Sequence, residues 1–206
     1  MSFLKNIFNR QPAKPAVITV VSGLPRSGTS MMMKMLEAGG IPPLTDQIRA
    51  ADADNPKGYY EFERVKRLDK GDTAWVAEAA GHCVKVISAL LQFLPAAYEY
   101  QIVFVRRDMA EILASQRKML GNRGEDSAKM DDDKMAALFA QHLQQVETWL
   151  ASQANMRVLY CHYRDILARP ETEAQRINEF LGGRLDVAAM ATAVDPNLYR
   201  NRQSAS

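Results

Sequence analysis

Cysteine is scarce in this 206-residue chain: only Cys83 and Cys161 occur, far apart and without metal-ligand spacing or a disulfide pattern. Two reduced thiols are therefore expected. The three histidines, His82, His142 and His162, form no H-x-x-x-H pair, so the sequence offers no zinc site. Net charge is also small. At +2 it gives no case for nucleic acid, and any anion must be met by local cations. No apolar run approaches the ~18 residues that span a bilayer.

Residues 1–15 form an N-terminal extension with Phe3, Leu4, Ile7 and Phe8 among Lys5 and Arg10. The apolar part breaks too early for a signal peptide, and no small-residue cleavage site follows. Packing on the domain is the expectation; peripheral membrane contact through residues 3–10 is the minor alternative. A single domain over 16–206 in the cytoplasm follows. An apolar fraction of 47% and a charged fraction of 24% are ordinary for a globular chain of this length.

Short β-branched runs alternate with helical patterns. Strands are predicted at Ala16–Ser22, Cys83–Ile87, Gln101–Val105 and Met156–Tyr160. Helices are predicted at Thr29–Ala38, ended by Gly39-Gly40, and at Asp108–Leu120 with Asp108 as N-cap. Two more follow at Lys134–Ser152 and Pro170–Leu181, the last with proline at its favoured first position. The alternation predicts an α/β domain with a mostly parallel central sheet flanked by helices. Residues 121–134 (GNRGEDSAKMDDDK) read as a mobile loop, with the aspartates at 131–133 as solvated loop charge and not a metal site.

The segment richest in chemistry is Val20–Leu36, where a buried strand runs through Gly23-Leu-Pro-Arg-Ser-Gly28-Thr29-Ser30 into a helix. Converging backbone N–H groups and the helix N-terminus suit a phosphate or sulfate, with Ser27, Thr29 and Ser30 as hydroxyl donors. The spacing of the glycines matches a Walker A loop, but Thr29 stands where lysine should, and the cation comes earlier, at Arg26. No aspartate closes a core strand to hold Mg²⁺: 101–105 runs into Arg106-Arg107, and 156–160 into Cys161-His162.

Pro25-Arg26-Ser27-Gly28-Thr29-Ser30 resembles the 5′-phosphosulfate loop of the sulfotransferase family, in the form with arginine for lysine. The strand end Val103–Arg107 with Ser115 eight residues beyond Arg107 is similar to that family's 3′-phosphate element; Met109 departs from the usual proline. Spacing favours Arg107, with Arg106 the alternative. Tyr163–Gly182 resembles a third family segment, so the likeness spans about residues 17–183. It implies a three-layer fold like that of P-loop nucleoside triphosphatases, with 3′-phosphoadenosine-5′-phosphosulfate (PAPS) as donor, 3′,5′-ADP as product and no metal.

The resemblance also implies roles. Arg26 would stabilise charge at the bridging oxygen, and Glu61, in NPKGYYEFE, would act as base, with His82 as rival and a surface ion pair to Arg64 or Lys57 as the plainer alternative. Lys85, inside an apolar strand, would contact the sulfuryl group or else face solvent at a sheet edge. Arg200 would close over the nucleotide or belong to a free basic tail. The acceptor pocket falls to residues 41–80 and 121–135, where Tyr59, Tyr60, Phe62 and Trp75 fit a sugar, a phenol, a lipid headgroup or a peptide tyrosine. Two other function classes compete: a divergent P-loop kinase, and a nucleotide-binding module without catalysis.

Overall fold

A computed structural model of the chain describes residues 17–46, 60–122 and 131–195. Its frame is a four-stranded sheet of β1 (Val17–Gly23), β2 (Cys83–Lys85), β3 (Glu99–Arg106) and β4 (Met156–His162). The order is β2-β1-β3-β4 and all three pairings are parallel. Parallel strands need crossovers, and the crossovers place helices on the faces. Each strand therefore reads as a nearly continuous apolar run.

The pleat sends successive residues to opposite sides. Ile18, Val20, Ile102 and Phe104 pack into one core with Trp75, Leu91 and Leu150. Val21, Val103 and Val105 pack into the other with Met32, Met33, Met35, Leu36, Ile166 and Ile177. Met32, Met33 and Met35 of α1 (Thr29–Ala38) are thus core, with Met31 partly buried against them. The remaining helices are α2 (Met109–Asn122), α3 (Asp132–Ala151), α4 (Tyr163–Ala168), α5 (Pro170–Phe180) and α6 (Val187–Thr192). Three 3₁₀ segments, Glu63–Lys70, Ala74–Ala79 and Ser88–Phe93, cover the side of β2. This is the expected α/β architecture with helices on both faces of the sheet.

Several boundaries need correcting: β3 starts at Glu99 where Gln101 was expected, and β4 runs on to His162 where Tyr160 was expected. The second strand stops at Lys85 and not Ile87, because Ile87 already forms the extended entry to the next 3₁₀ segment. The loop assigned to 121–134 is shorter at both ends: α2 continues to Asn122, and α3 begins at Asp132. The aspartates at 131–133 are accordingly not loop charge. Asp131 caps α3, its carboxylate accepting from the N–H groups of Asp133 and Lys134, and Asp132 and Asp133 fill the first turn, where the helix dipole favours negative charge. The Lys134 N–H and then its ammonium hold the Asp131 carboxyl below the usual aspartate range. Asp108 caps α2 in the same way, accepting from the N–H groups of Ala110 and Glu111.

Candidate functional site

The loop after β1 leaves the centre of the sheet, between β2 and β3, and enters α1 through Gly28. Its turn is closed by the Ser27 N–H donating to the Leu24 carbonyl at 3.1 Å. Two features make it tight. Gly28 has φ 108°, and a Cβ there would lie 2.5 Å from the ring of Tyr163. Arg26 has φ 69°, the left-handed region, which costs a non-glycine residue on the order of 1–2 kcal/mol. The first four N–H groups of a helix have no partner within it, so the start of α1 supplies donors to an anion.

Arg107 lies just past the end of β3 with its side chain only 8% exposed. One guanidinium nitrogen, Nη1, donates to the Arg26 carbonyl at 3.1 Å, and Nε donates to Glu111 at 3.0 Å. The guanidinium lies over the Tyr163 ring, 4.4 Å from its centroid. Two turns along α2, Ser115 accepts from Arg26 Nε at 3.0 Å. Arg26, Arg107 and Ser115, far apart in sequence, thus form one connected group.

Glu111 is a participant that the sequence reading passed over. Its side chain is fully buried, with one oxygen taken by Arg107 and the other by Arg164 Nε and Nη2 at 2.9 and 2.6 Å. The spacing of Glu111 four residues after Arg107 was a readable signal for the first contact. Arg164, 53 residues further on, was not.

Arg26, Arg107, Ser115 and Tyr163 face a cavity of about 360 Å³. Pro25, Arg26, Gly28, Thr29, Ser30, Arg107 and Ser115 line one wall; Glu61, Phe62, Val65, Lys66, Lys85, Ile87 and Leu90 line the other. The geometry therefore gathers most of the residues singled out from the sequence. Ser27 is an exception. Its hydroxyl is buried beneath the loop without a hydrogen-bond partner, and it faces a separate crevice next to Arg106 and His162. Arg106 also turns away, pairing with Glu147 at 2.7 Å and stacking 4.0 Å over Tyr160. Of the two neighbouring arginines, Arg107 is the one that faces the cavity.

Glu61 pairs with Lys66 at 3.1 Å, not with Arg64, which bonds Asp72 at 2.7 Å; Lys57 lies outside the described residues. Lys85 sits on an edge strand yet is half-buried and lines the cavity. His82 does not reach it; its Nδ1 is 3.1 Å from the Ala80 carbonyl. Among the described aromatics of residues 41–80, Phe62 alone lines the cavity. Tyr60 turns to donate to Glu37 at 2.6 Å, burial and then that carboxylate raising its phenol above the ordinary value. Trp75 is wholly buried. Tyr59, Arg200 and the extension at 1–15 lie outside the described residues. Among the described residues no group of three or more His, Cys, Asp or Glu side chains is arranged to hold a metal, and no helix is long and apolar enough to cross a membrane.

The fold has solved counterparts. The chain is similar to the sulfotransferase domain of an olefin synthase from Synechococcus PCC 7002, at 14% identity and TM-score 0.54 over 96% of this chain and 92% of that one. It is similar to the sulfotransferase domain of the curacin biosynthetic pathway, at 16% identity and TM-score 0.52 over 92% and 88%. It is also similar to the mouse sulfotransferase SULT7A1 complexed with PAP, at 18% identity and TM-score 0.51 over 91% and 65%. No curated protein sequence matches it. The sulfotransferase family model matches residues 47–186, a stretch that holds Glu61, Lys85, Arg107, Ser115 and Tyr163 and covers more than half of the chain. The chain belongs to the sulfotransferase family.

Proposed function

We propose that the chain transfers the sulfuryl group of PAPS to a hydroxyl or amine of an acceptor, releasing 3′,5′-ADP, without a metal ion. The observation that carries this reading is the connected group of Arg26, Arg107 and Ser115 on one cavity wall, beside the N-terminus of α1. The residues fit such a donor by their chemistry. Gly28, Thr29 and Ser30 offer a helix N-terminus and two hydroxyls to the 5′ end, and Arg107 with Ser115 offers a cation and a hydroxyl to the 3′-phosphate. The PAP-bound mouse neighbour supports the same ligand class here.

PAPS supplies an activated sulfuryl group on a good leaving phosphate, so the chain's share is placement and electrostatics. Arg26 meets the charge that grows on the bridging oxygen; a guanidinium with pKa above ~12 donates hydrogen bonds and keeps its proton. Lys85, on the opposite wall, meets charge on the transferring group. The acceptor oxygen forms its bond to sulfur as the bond to the phosphate oxygen breaks, and Glu61 takes the acceptor's proton. Arg200 remains a further contact to the nucleotide in this reading. Buried, unpaired Cys83 and Cys161 fit a cytoplasmic setting; burial pushes both thiols up to about 12.

Thermal stabilisation tests the reading. At a hundred times its Kd, 3′,5′-ADP should stabilise the native chain by about 2.7 kcal/mol, and Arg107→Ala should remove most of that gain. Stabilisation by ATP with Mg²⁺ and none by 3′,5′-ADP would point to a kinase instead. Binding of 3′,5′-ADP without sulfuryl transfer to any acceptor would leave a silent nucleotide-binding module.

A further inference from the structure

We infer that Arg164 is a positioning residue for the donor's 3′-phosphate, sharing the buried Glu111 carboxylate so that Arg107 keeps both its aim and its charge; this rests on the donor assignment above. Glu111 lies in the first turn of α2 with its side chain fully buried. A buried carboxylate is costly unless its charge is matched, and here two guanidiniums match it. They are not held alike. Arg164 gives Nε and Nη2 to one carboxylate oxygen, Oε1, at 2.9 and 2.6 Å, whereas Arg107 gives Nε to the other, Oε2, at 3.0 Å. Arg164 thus draws on the carboxylate more closely, and one positive charge is left over among these three groups.

The excess falls on the side of the ligand. Arg107 lines the cavity together with Ser115; Arg164, 53% exposed, faces the crevice beside Arg106 and Asp108 instead. Without Arg164, Glu111 and Arg107 would pair one to one, and a dianionic 3′-phosphate would meet a cation already offset by a carboxylate. The sheet makes the sharing possible. β4 lies parallel to β3 with His162 opposite Arg106, so the residues that follow the two strands, Arg107 and Tyr163-Arg164, emerge side by side. Tyr163 takes the face of the Arg107 guanidinium, and Arg164 takes the carboxylate that holds its edge. One junction therefore sets both the plane of Arg107 and the charge it can offer.

Calorimetry with 3′,5′-ADP and 5′-AMP, which differ only in the 3′-phosphate, reads the role directly. Arg164→Gln should raise Kd for 3′,5′-ADP about tenfold and leave that for 5′-AMP within about twofold. Arg164→Lys, which restores the charge, should recover most of the loss. Adding Arg164→Gln to Glu111→Gln should weaken 3′,5′-ADP no further than Glu111→Gln alone, since Arg164 then has no carboxylate to offset. If Arg164→Gln by itself does not fold, that comparison decides. Unchanged 3′,5′-ADP affinity in Arg164→Gln would overturn the inference. So would an equal loss for both nucleotides, the mark of a structural role, or losses that multiply in the double variant, the mark of action by a route other than Glu111. In each case the donor assignment survives as long as the parent chain binds 3′,5′-ADP; no binding by the parent would remove both.

Discussion

Arg107 and Lys85 stand on opposite walls of one cavity, and the chain holds them differently. Arg107 is almost fully buried and fixed on three sides, by Glu111, the Arg26 carbonyl and the Tyr163 ring. Lys85 closes a three-residue edge strand, among neighbours carried by short 3₁₀ segments. The first wall is organised before any ligand arrives, so little rearrangement opposes binding of an anion of set shape. The second, among the described residues, is a mostly apolar surface on which Lys66, 54% exposed, pairs with Glu61 and, beyond the lining, with Glu63. In the proposed reaction, donor recognition rests on fixed charge.

Separating the two walls by mutation is the sharpest way to test that contrast. Glu61→Gln should lower kcat by roughly 10²–10⁴ and leave 3′,5′-ADP affinity unchanged. Unchanged turnover would reduce Glu61 to a partner of Lys66. On the other wall, Gly28→Ala forces a Cβ into the Tyr163 ring at a left-handed backbone position. It should cost about 1–3 kcal/mol of stability and weaken both 3′,5′-ADP and 5′-AMP, as read by calorimetry. An alanine tolerated there without loss would mean that the loop is not tightly set.

A subtler probe is Glu111→Gln. Loss of the carboxylate frees Arg107 to change its aim, so 3′,5′-ADP affinity should fall about tenfold while 5′-AMP, which lacks the 3′-phosphate, is nearly unaffected. An equal fall for both ligands would indicate general loss of structure. The smallest effect is expected far from either wall. Asp131, held low by the N-terminus of α3, contributes stability above the ordinary aspartate value of about 3.9 that is lost as pH falls through its lower folded value. Asp131→Ala should therefore lower the melting temperature slightly at pH 7, and variant and parent should converge once the pH is below that folded value. A difference that persisted there would mean that the cap acts through something other than its charge.

The same contrast marks how far the sequence could be read. The residues of the first wall come from two short segments, Gly23 to Ser30 and Arg107 to Ser115, although the bonds that join them span 81 and 89 residues. Spacings within each segment survive folding, so most residues facing the cavity, Ser27 excepted, were legible there. Arg164 on Glu111 was not, because it joins residues 53 apart. On the other wall, the 3₁₀ segments are only six to eight residues long, and none of them was anticipated. Which cation Glu61 would take was equally closed to sequence: Arg64 turned to Asp72, and Lys66 took its place. α4 and α6, six residues each, are too short to show a period.

The position of β1 in the middle of the sheet bears on how the chain matures. Of the four described strands β1 is made first, yet its partners are residues 83–85 on one side and 99–105 on the other. At roughly 5–20 residues per second of synthesis, this apolar strand stays without neighbours for several seconds while the intervening chain is completed. The segment that anchors the anion loop is thus the one most exposed to premature association during translation. Slow refolding that loses yield as concentration rises is the expected counterpart in the test tube.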